Sequence, residues 1–183
     1  VGTADNYNIN KTVGTLTVAN ITYLSLTGLT ADNKVYDGDA NASISNWGTL
    51  VGVQPGHSVG LVNTSATVTF SDKNVGVDKM VTVTGLDIDG DDADLYMIED
   101  QTTVADITAV DLLVSNFVAD DKIYDGTTSV NGAGFSDDRI SGDLLQFTYD
   151  VAFASIDVAA DIPVNFTNIE LTNGADIGNY NLV

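Results

Sequence analysis

Apolar and polar residues alternate over several short stretches of this chain. Ala66, Val68 and Phe70 alternate with Thr67 and Thr69, and Val81 and Val83 with Thr82 and Thr84. Leu145, Phe147, Tyr149 and Val151 repeat the pattern further on. A period of two in β-branched and aromatic residues predicts half-buried strands. No stretch places apolar residues at i, i+3, i+4 and i+7 over three turns, so no helix is predicted. Asn46–Gly60 is rich in Gly, Asn and Ser and predicts loop, and Ser71–Lys79 predicts a polar turn around Gly76. Short strands separated by such turns predict an all-β fold of immunoglobulin-like β-sandwich modules, with β-grasp-like modules as the alternative.

The pattern occurs twice. Ala31–Gly38 reads Ala-Asp-Asn-Lys-Val-Tyr-Asp-Gly, and Ala119–Gly126 reads Ala-Asp-Asp-Lys-Ile-Tyr-Asp-Gly, 88 residues later. Phe70, Val75, Val81, Val83, Leu86 and Ile88 return as Phe153, Val158, Val164, Phe166, Ile169 and Leu171 at a spacing of 83. The change in spacing places a five-residue deletion in the intervening loops, where indels are tolerated. Core positions match while surface positions drift, as two copies of one fold should. The expected organisation is a segment 1–22 from a preceding repeat, module one at 23–109 and module two at 110–183.

Leu16–Thr22 (Leu-Thr-Val-Ala-Asn-Ile-Thr) matches Thr102–Thr108 (Thr-Thr-Val-Ala-Asp-Ile-Thr). Module two contains no third copy of this strand after Asn-Tyr-Asn-Leu. A spare strand and an unfilled edge in one chain fit head-to-tail strand donation between molecules. The plainer reading, preferred here, is an arbitrary cut within an array, with residues 1–22 packing locally or incompletely.

Charge narrows the function classes. The chain has 26 acidic and 6 basic residues, a net of −20. Nucleic acid and anionic membranes require Lys/Arg to displace counterions, so neither is an expected partner. With 44% hydrophobic residues this is no disordered acidic tail. No apolar run is long enough to span a membrane, and the absence of cysteine rules out disulfides.

Lys-Val-Tyr-Asp-Gly, Phe-Ser-Asp-Lys-Asn-Val-Gly (70–76), Val-Thr-Val-Thr-Gly-Leu (81–86) and the closing Asn-Tyr-Asn-Ile or Asn-Tyr-Asn-Leu occur in a fixed order. In these the chain resembles the YDG-type repeats of large bacterial surface proteins, including filamentous-haemagglutinin-like proteins and giant adhesins. The resemblance implies an extracellular, β-rich stalk on a bacterial surface whose partners are neighbouring repeats. It implies no catalytic residues. The second copy departs from the pattern at 152–160, where Ala-Phe-Ala-Ser-Ile-Asp-Val-Ala-Ala lacks the Lys-Asn-Val-Gly.

Candidate chemistry is sparse. Lys34, Tyr36, Asp37 and Gly38, with Lys122, Tyr124, Asp125 and Gly126, form a structural motif. It consists of a buried aromatic, a tight turn closed by Asp and Gly, and a lysine stem lying along the tyrosine ring. The repeated lysines also admit an intramolecular amide with an Asn or Asp. Asp87, Asp89, Asp91, Asp92 and Asp94 form the densest acidic run, either a solvated loop or a Ca²⁺ site built from hard oxygen ligands. The spacing matches no EF-hand. No cofactor is required, and Ca²⁺ is the one candidate ion. Asp106, Asp111, Asp120 and Asp121 could bridge a cation between modules. Trp47 could stack on a sugar or serve as a packing anchor. His57, the only histidine, lies in a loop with no second metal ligand or nucleophile to join, so an enzyme is not expected. The sequons beginning at Asn10, Asn20, Asn41, Asn63 and Asn165 are compositional in a bacterial protein. The expected function is that of a structural spacer. A module that binds carbohydrate or protein and a strand-donating fibre subunit are the alternatives.

Overall fold

The computed structural model describes residues 21–183. Segment 1–22 and its Leu16–Thr22 strand lie almost wholly outside the described residues. The first repeat contains β1 (Thr22–Thr27), β2 (Thr30–Ala31), β3 (Lys34–Val35), β4 (Ile44–Asn46), β5 (Thr49–Val51), β6 (Gly60–Val62), β7 (Thr67–Phe70), β8 (Gly76–Thr84), β9 (Asp87–Asp89), β10 (Tyr96–Ile98) and β11 (Gln101–Thr108). The second contains β12 (Val110–Leu112), β13 (Val114–Ala119), β14 (Ala133–Asp137), β15 (Gln146–Phe153), β16 (Val164–Asn173) and β17 (Tyr180–Leu182). The fold is all-β. Its helical segments among the described residues are two single 3₁₀ turns, at Ala93–Leu95 and Ile177–Asn179. The β-grasp alternative therefore lacks its helix.

Strand register confirms the repeat. In repeat one Phe70 pairs with Val81, and Val68 with Val83. In repeat two Phe153 pairs with Val164, and Val151 with Phe166, the same pairs 83 residues on. Thr22–Leu24 runs parallel to Tyr96–Ile98, and Val110–Leu112 runs parallel to Tyr180–Leu182.

The predicted polar turn Ser71–Lys79 is shorter than expected, because β8 begins at Gly76. The sequence there looks turn-like because the strand carries a bulge. Asp78 has φ 51°, its N–H donates to Asp106 Oδ1 (2.9 Å), and the register against β11 shifts between Ala105 and Ile107.

The repeats differ at one edge. In repeat one β11 closes the sheet, pairing antiparallel with β8 on one side and parallel with Lys34–Val35 on the other. In repeat two β16 pairs with β15 alone among the described residues. Lys122–Ile123 forms no strand. The core follows this asymmetry. One buried cluster joins Tyr36, Phe70, Val81, Ala105 and Ile107 of repeat one to Leu112, Leu145 and Tyr180 of repeat two. The deepest packing thus runs through the junction.

Candidate functional site at the junction of the repeats

The Lys-x-Tyr-Asp-Gly stretch folds as a turn around its own lysine. Lys34 Nζ donates to Asp37 Oδ1 (2.7 Å), to Asp39 Oδ1 and backbone O (3.0 Å each), and to Asn41 O (3.0 Å). Lys122 does the same with Asp125 Oδ1 (2.8 Å), Thr127 O (2.6 Å) and Thr127 Oγ1 (3.1 Å). An ammonium group has three donors and no acceptor, so a ring of oxygens satisfies it as it would a small cation. The carboxylates also receive backbone N–H groups from two residues ahead, Asp39 from Asn41 and Asp125 from Thr127.

These contacts set the charges. The Asn41 amide and then Lys34 hold Asp39 below the usual carboxylate range. Lys122, followed by the Thr127 backbone and hydroxyl, pulls Asp125 down to about 2. Burial pushes Lys34 down, but its bonds to Asp37 and Asp39 outweigh that and raise it. An amine must be neutral to attack a carboxyl, so Lys34 is placed as an ion-pair partner rather than as an amide-forming nucleophile.

The expected stacking of lysine on tyrosine is corrected. Lys34 Nζ sits 5.8 Å from the Phe70 ring centre, and Lys122 Nζ sits 5.6 Å from that of Phe153. Each lysine head thus lies over a phenylalanine, Phe70 of β7 and Phe153 of β15, rather than over the tyrosine of its own motif. Tyr36 crosses into repeat two and is 2% exposed, whereas Tyr124 is 61% exposed.

At the junction, Tyr36 Oη and Tyr180 Oη both donate to Asp143 Oδ2, at 2.7 and 2.6 Å. Lys73 Nζ reaches Asp143 Oδ1 (2.8 Å) and Asp176 Oδ1 (3.0 Å), and lies 5.5 Å from the centre of the Tyr36 ring. The two tyrosine rings meet edge to face, with centres 5.6 Å apart. Asn179 accepts from Val75 N (2.9 Å) and donates to Asn74 Oδ1 (3.1 Å). Ile140 N–H donates to Tyr180 Oη (2.9 Å).

Burial disfavours the Asp143 charge most strongly, yet Lys73 and the two tyrosines more than offset it and hold Asp143 below the usual carboxylate range. Lys73 is raised, chiefly by Asp143. Burial and Asp143 raise the Tyr180 phenol, and burial leads the rise of Tyr36. A buried ion pair adds little net stability, but removing one partner is costly. In this placement of the repeats Asp143 and both tyrosine hydroxyls have their partners.

Gly38 serves the same junction. Its φ is 86°, and a Cβ there would lie 2.8 Å from Ile140 Cγ2. The glycine of the motif both makes the turn and admits the neighbouring repeat.

The remaining candidates are dispersed. Among the described residues no three carboxylates or histidines converge to hold a metal ion. The carboxylates of the acidic run, Asp87, Asp89, Asp91, Asp92 and Asp94, are not drawn together into such a group. Asp87 and Asp89 lie on β9, Asp87 Oδ1 accepts from Ile88 N, and Asp92 Oδ2 is taken by Ser58 N (2.8 Å). The cation bridge expected of Asp106, Asp111, Asp120 and Asp121 is not assembled either, with Asp106 committed to Asp78 N. Trp47 is half-buried in the turn between β4 and β5.

Reasoning from sequence missed Lys73, Asp143, Asp176 and Asn179. It also missed what His57 is. The loop Gln54-Pro55-Gly56-His57-Ser58 corresponds to Ile140-Ser141-Gly142-Asp143-Leu144, with Gly56 and Gly142 in register. Gln54 N–H donates to Tyr96 Oη (3.0 Å) as Ile140 N–H does to Tyr180 Oη. Tyr96 Oη lies 2.7 Å from His57 Nδ1, as Tyr180 Oη lies 2.6 Å from Asp143. His57 therefore occupies in repeat one the place of Asp143 in repeat two. The shared glycine was the available signal.

The chain is thus a tandem all-β repeat protein whose repeats interlock through a buried polar joint. It belongs to the YDG domain family, whose model matches residues 20–104 and again 108–183. No curated protein and no solved structure gives a significant match.

Proposed function

We propose that this chain is a structural spacer of an extracellular bacterial adhesin, a non-enzymatic array that holds a binding region away from the cell surface. Each module is read as a β-sandwich that transmits position to the next. The observation that carries the proposal is the joint. A flexible linker would be solvated and polar, but here β11 ends at Thr108 and β12 begins at Val110, with the core cluster continuous across them. The ion pair between half-buried Lys73 and buried Asp143, with the two tyrosines, ties the repeats together. A spacer needs a stiff joint, and a core continuous across the junction supplies one.

The test is an inter-repeat distance distribution. The chain has no cysteine, so Val51→Cys and Ile123→Cys, both at exposed positions, can carry spin labels. A single narrow distance distribution supports the spacer. A broad distribution spanning tens of ångströms would refute it.

A further inference from the structure

The first and last segments of repeat one lie side by side and run in the same direction. β1 is parallel to β10, with Thr22 beside Tyr96, Tyr23 beside Met97 and Leu24 beside Ile98. Further along, β3 is parallel to the end of β11, with Lys34 beside Ile107 and Val35 beside Thr108. Tyr36 N–H donates to Thr108 O (2.8 Å) just beyond them. Between these two strand pairs, side chains join the segments. Gln101 Oε1 accepts from Leu26 N (3.0 Å), Thr103 Oγ1 donates to Leu29 O (3.1 Å), and Asn33 Oδ1 accepts from Asp106 N (2.8 Å). The Gln101 amide nitrogen donates to Glu99 O (3.0 Å), which turns Oε1 toward Leu26. The result is one continuous seam between residues 22–36 and 96–108. Leu24, Tyr96, Ala105 and Ile107 anchor it in the interior.

Repeat two opens in the same way. Val110–Leu112 runs parallel to Tyr180–Leu182, Val183 N–H donates to Leu112 O (3.1 Å), and Leu112 is fully buried. Only Ala109 separates the end of β11 from the start of β12. Tension along the chain therefore passes from one seam to the next through a single residue.

Direction decides how such a seam fails. Tension draws the first segment toward its N-terminal end and the last segment toward its C-terminal end. Parallel neighbours pulled in this way slide lengthwise, so all the bonds between them are strained together. An antiparallel pair pulled at its adjacent ends would open one bond at a time. A single hydrogen bond is modest in water, so resistance depends on loading many at once.

We propose that each repeat is a load-bearing unit, with the seam between its first and last segments acting as a clamp that takes tension in shear. In repeat one Asn33, Gln101 and Thr103 carry the clamp across the stretch between its two strand pairs. The resistance is kinetic, because forced unfolding follows the unfolding barrier rather than the equilibrium stability. The clamp deepens the spacer reading and rests on it for its use, but its geometry comes from strand direction alone.

The experiment is single-molecule force spectroscopy of the whole chain held by cysteine handles, since the chain has no cysteine of its own. Ile21→Cys with Asp111→Cys loads the seam of repeat one in shear. Ile21→Cys with Asp94→Cys pulls β1 away from the start of β10 and opens the same strand pair from its end. All three positions are exposed. At equal pulling speed the shear pair should rupture at a force at least about threefold that of the peeling pair, because the barrier is what is loaded. Asn33→Ala and Thr103→Val should lower the shear force and leave the peeling force unchanged. Equal forces in the two geometries would overturn the proposal. A loss shared equally by both geometries in the variants would overturn the role of these side chains, since it would report lost stability alone. Equal forces with a narrow inter-repeat distance would sink this inference and leave the spacer standing. A strong shear force with a broad distance distribution would do the reverse.

Discussion

The two Tyr-Asp-Gly corners have nearly the same sequence and nearly the same lysine cage, yet they occupy opposite environments. Tyr36 is sealed between repeats, with its hydroxyl on a buried aspartate, whereas Tyr124 stands in the open. The cage is therefore local and self-sufficient, and the burial of the tyrosine is supplied by whatever docks on it. The motif prepares an attachment point and the neighbouring repeat completes it.

The comparison can be broken by truncating each tyrosine. Tyr36→Ala should cost about 3–5 kcal/mol by urea unfolding, the range for a buried aromatic. Tyr124→Ala should stay within about 0.5 kcal/mol. Equal losses would mean that the corner, rather than the joint, is what the tyrosine stabilises. The same logic applies to the residues at the matching loop position of the two repeats. Asp143→Ala leaves Lys73 and two phenols without their shared acceptor and should cost about 3–5 kcal/mol. His57→Ala should fall within about 1 kcal/mol.

Gly38→Ala and Gly126→Ala share the penalty of a positive φ, about 1 kcal/mol. Gly38→Ala should cost measurably more, because Ile140 fills the space a methyl group would need.

Acid gives a smaller and graded effect. Asp143, Asp39 and Asp125 all have folded pKa values below the ordinary 3.8. Their contribution is present above that value and is lost as pH falls through the folded values. For Asp125 the loss runs from about 4 down to about 2. Lys73, raised above 10.5, contributes below that value and loses its contribution as pH rises beyond it. Stability should therefore be level between about pH 5 and 10 and decline on either side. The smallest expected effect is that of metal removal. Chelator should leave the melting midpoint unchanged, because the acidic run Asp87–Asp94 does not converge. A midpoint that rises with added Ca²⁺ would show a site formed in some other arrangement.

What could be read from the sequence was local. Alternation at Ala66–Phe70 and at Leu145–Val151 marked real strands, and the repeated Tyr-Asp-Gly marked a real turn, because each depends on residues within a few positions. The spacing of 83 foretold the register of β15 against β16. The joint was hidden because its groups meet across long separations, Tyr36 with Asp143 across 107 residues and Lys73 with Asp143 across 70. It was hidden also because the two repeats differ at those very positions. Lys73 aligns with Ile156 and Asp143 with His57, so searching for repeated residues passes over them.

The central claim is that the two repeats form one cooperative body through the buried joint. Trp47 is the only tryptophan and lies in repeat one, so its fluorescence reports that repeat. Hydrogen exchange at β15 and β16 reports the other. Followed together through a urea titration, the two probes should give coincident transitions in the wild type and separated ones in Asp143→Ala. Separate transitions in the wild type would contradict the claim.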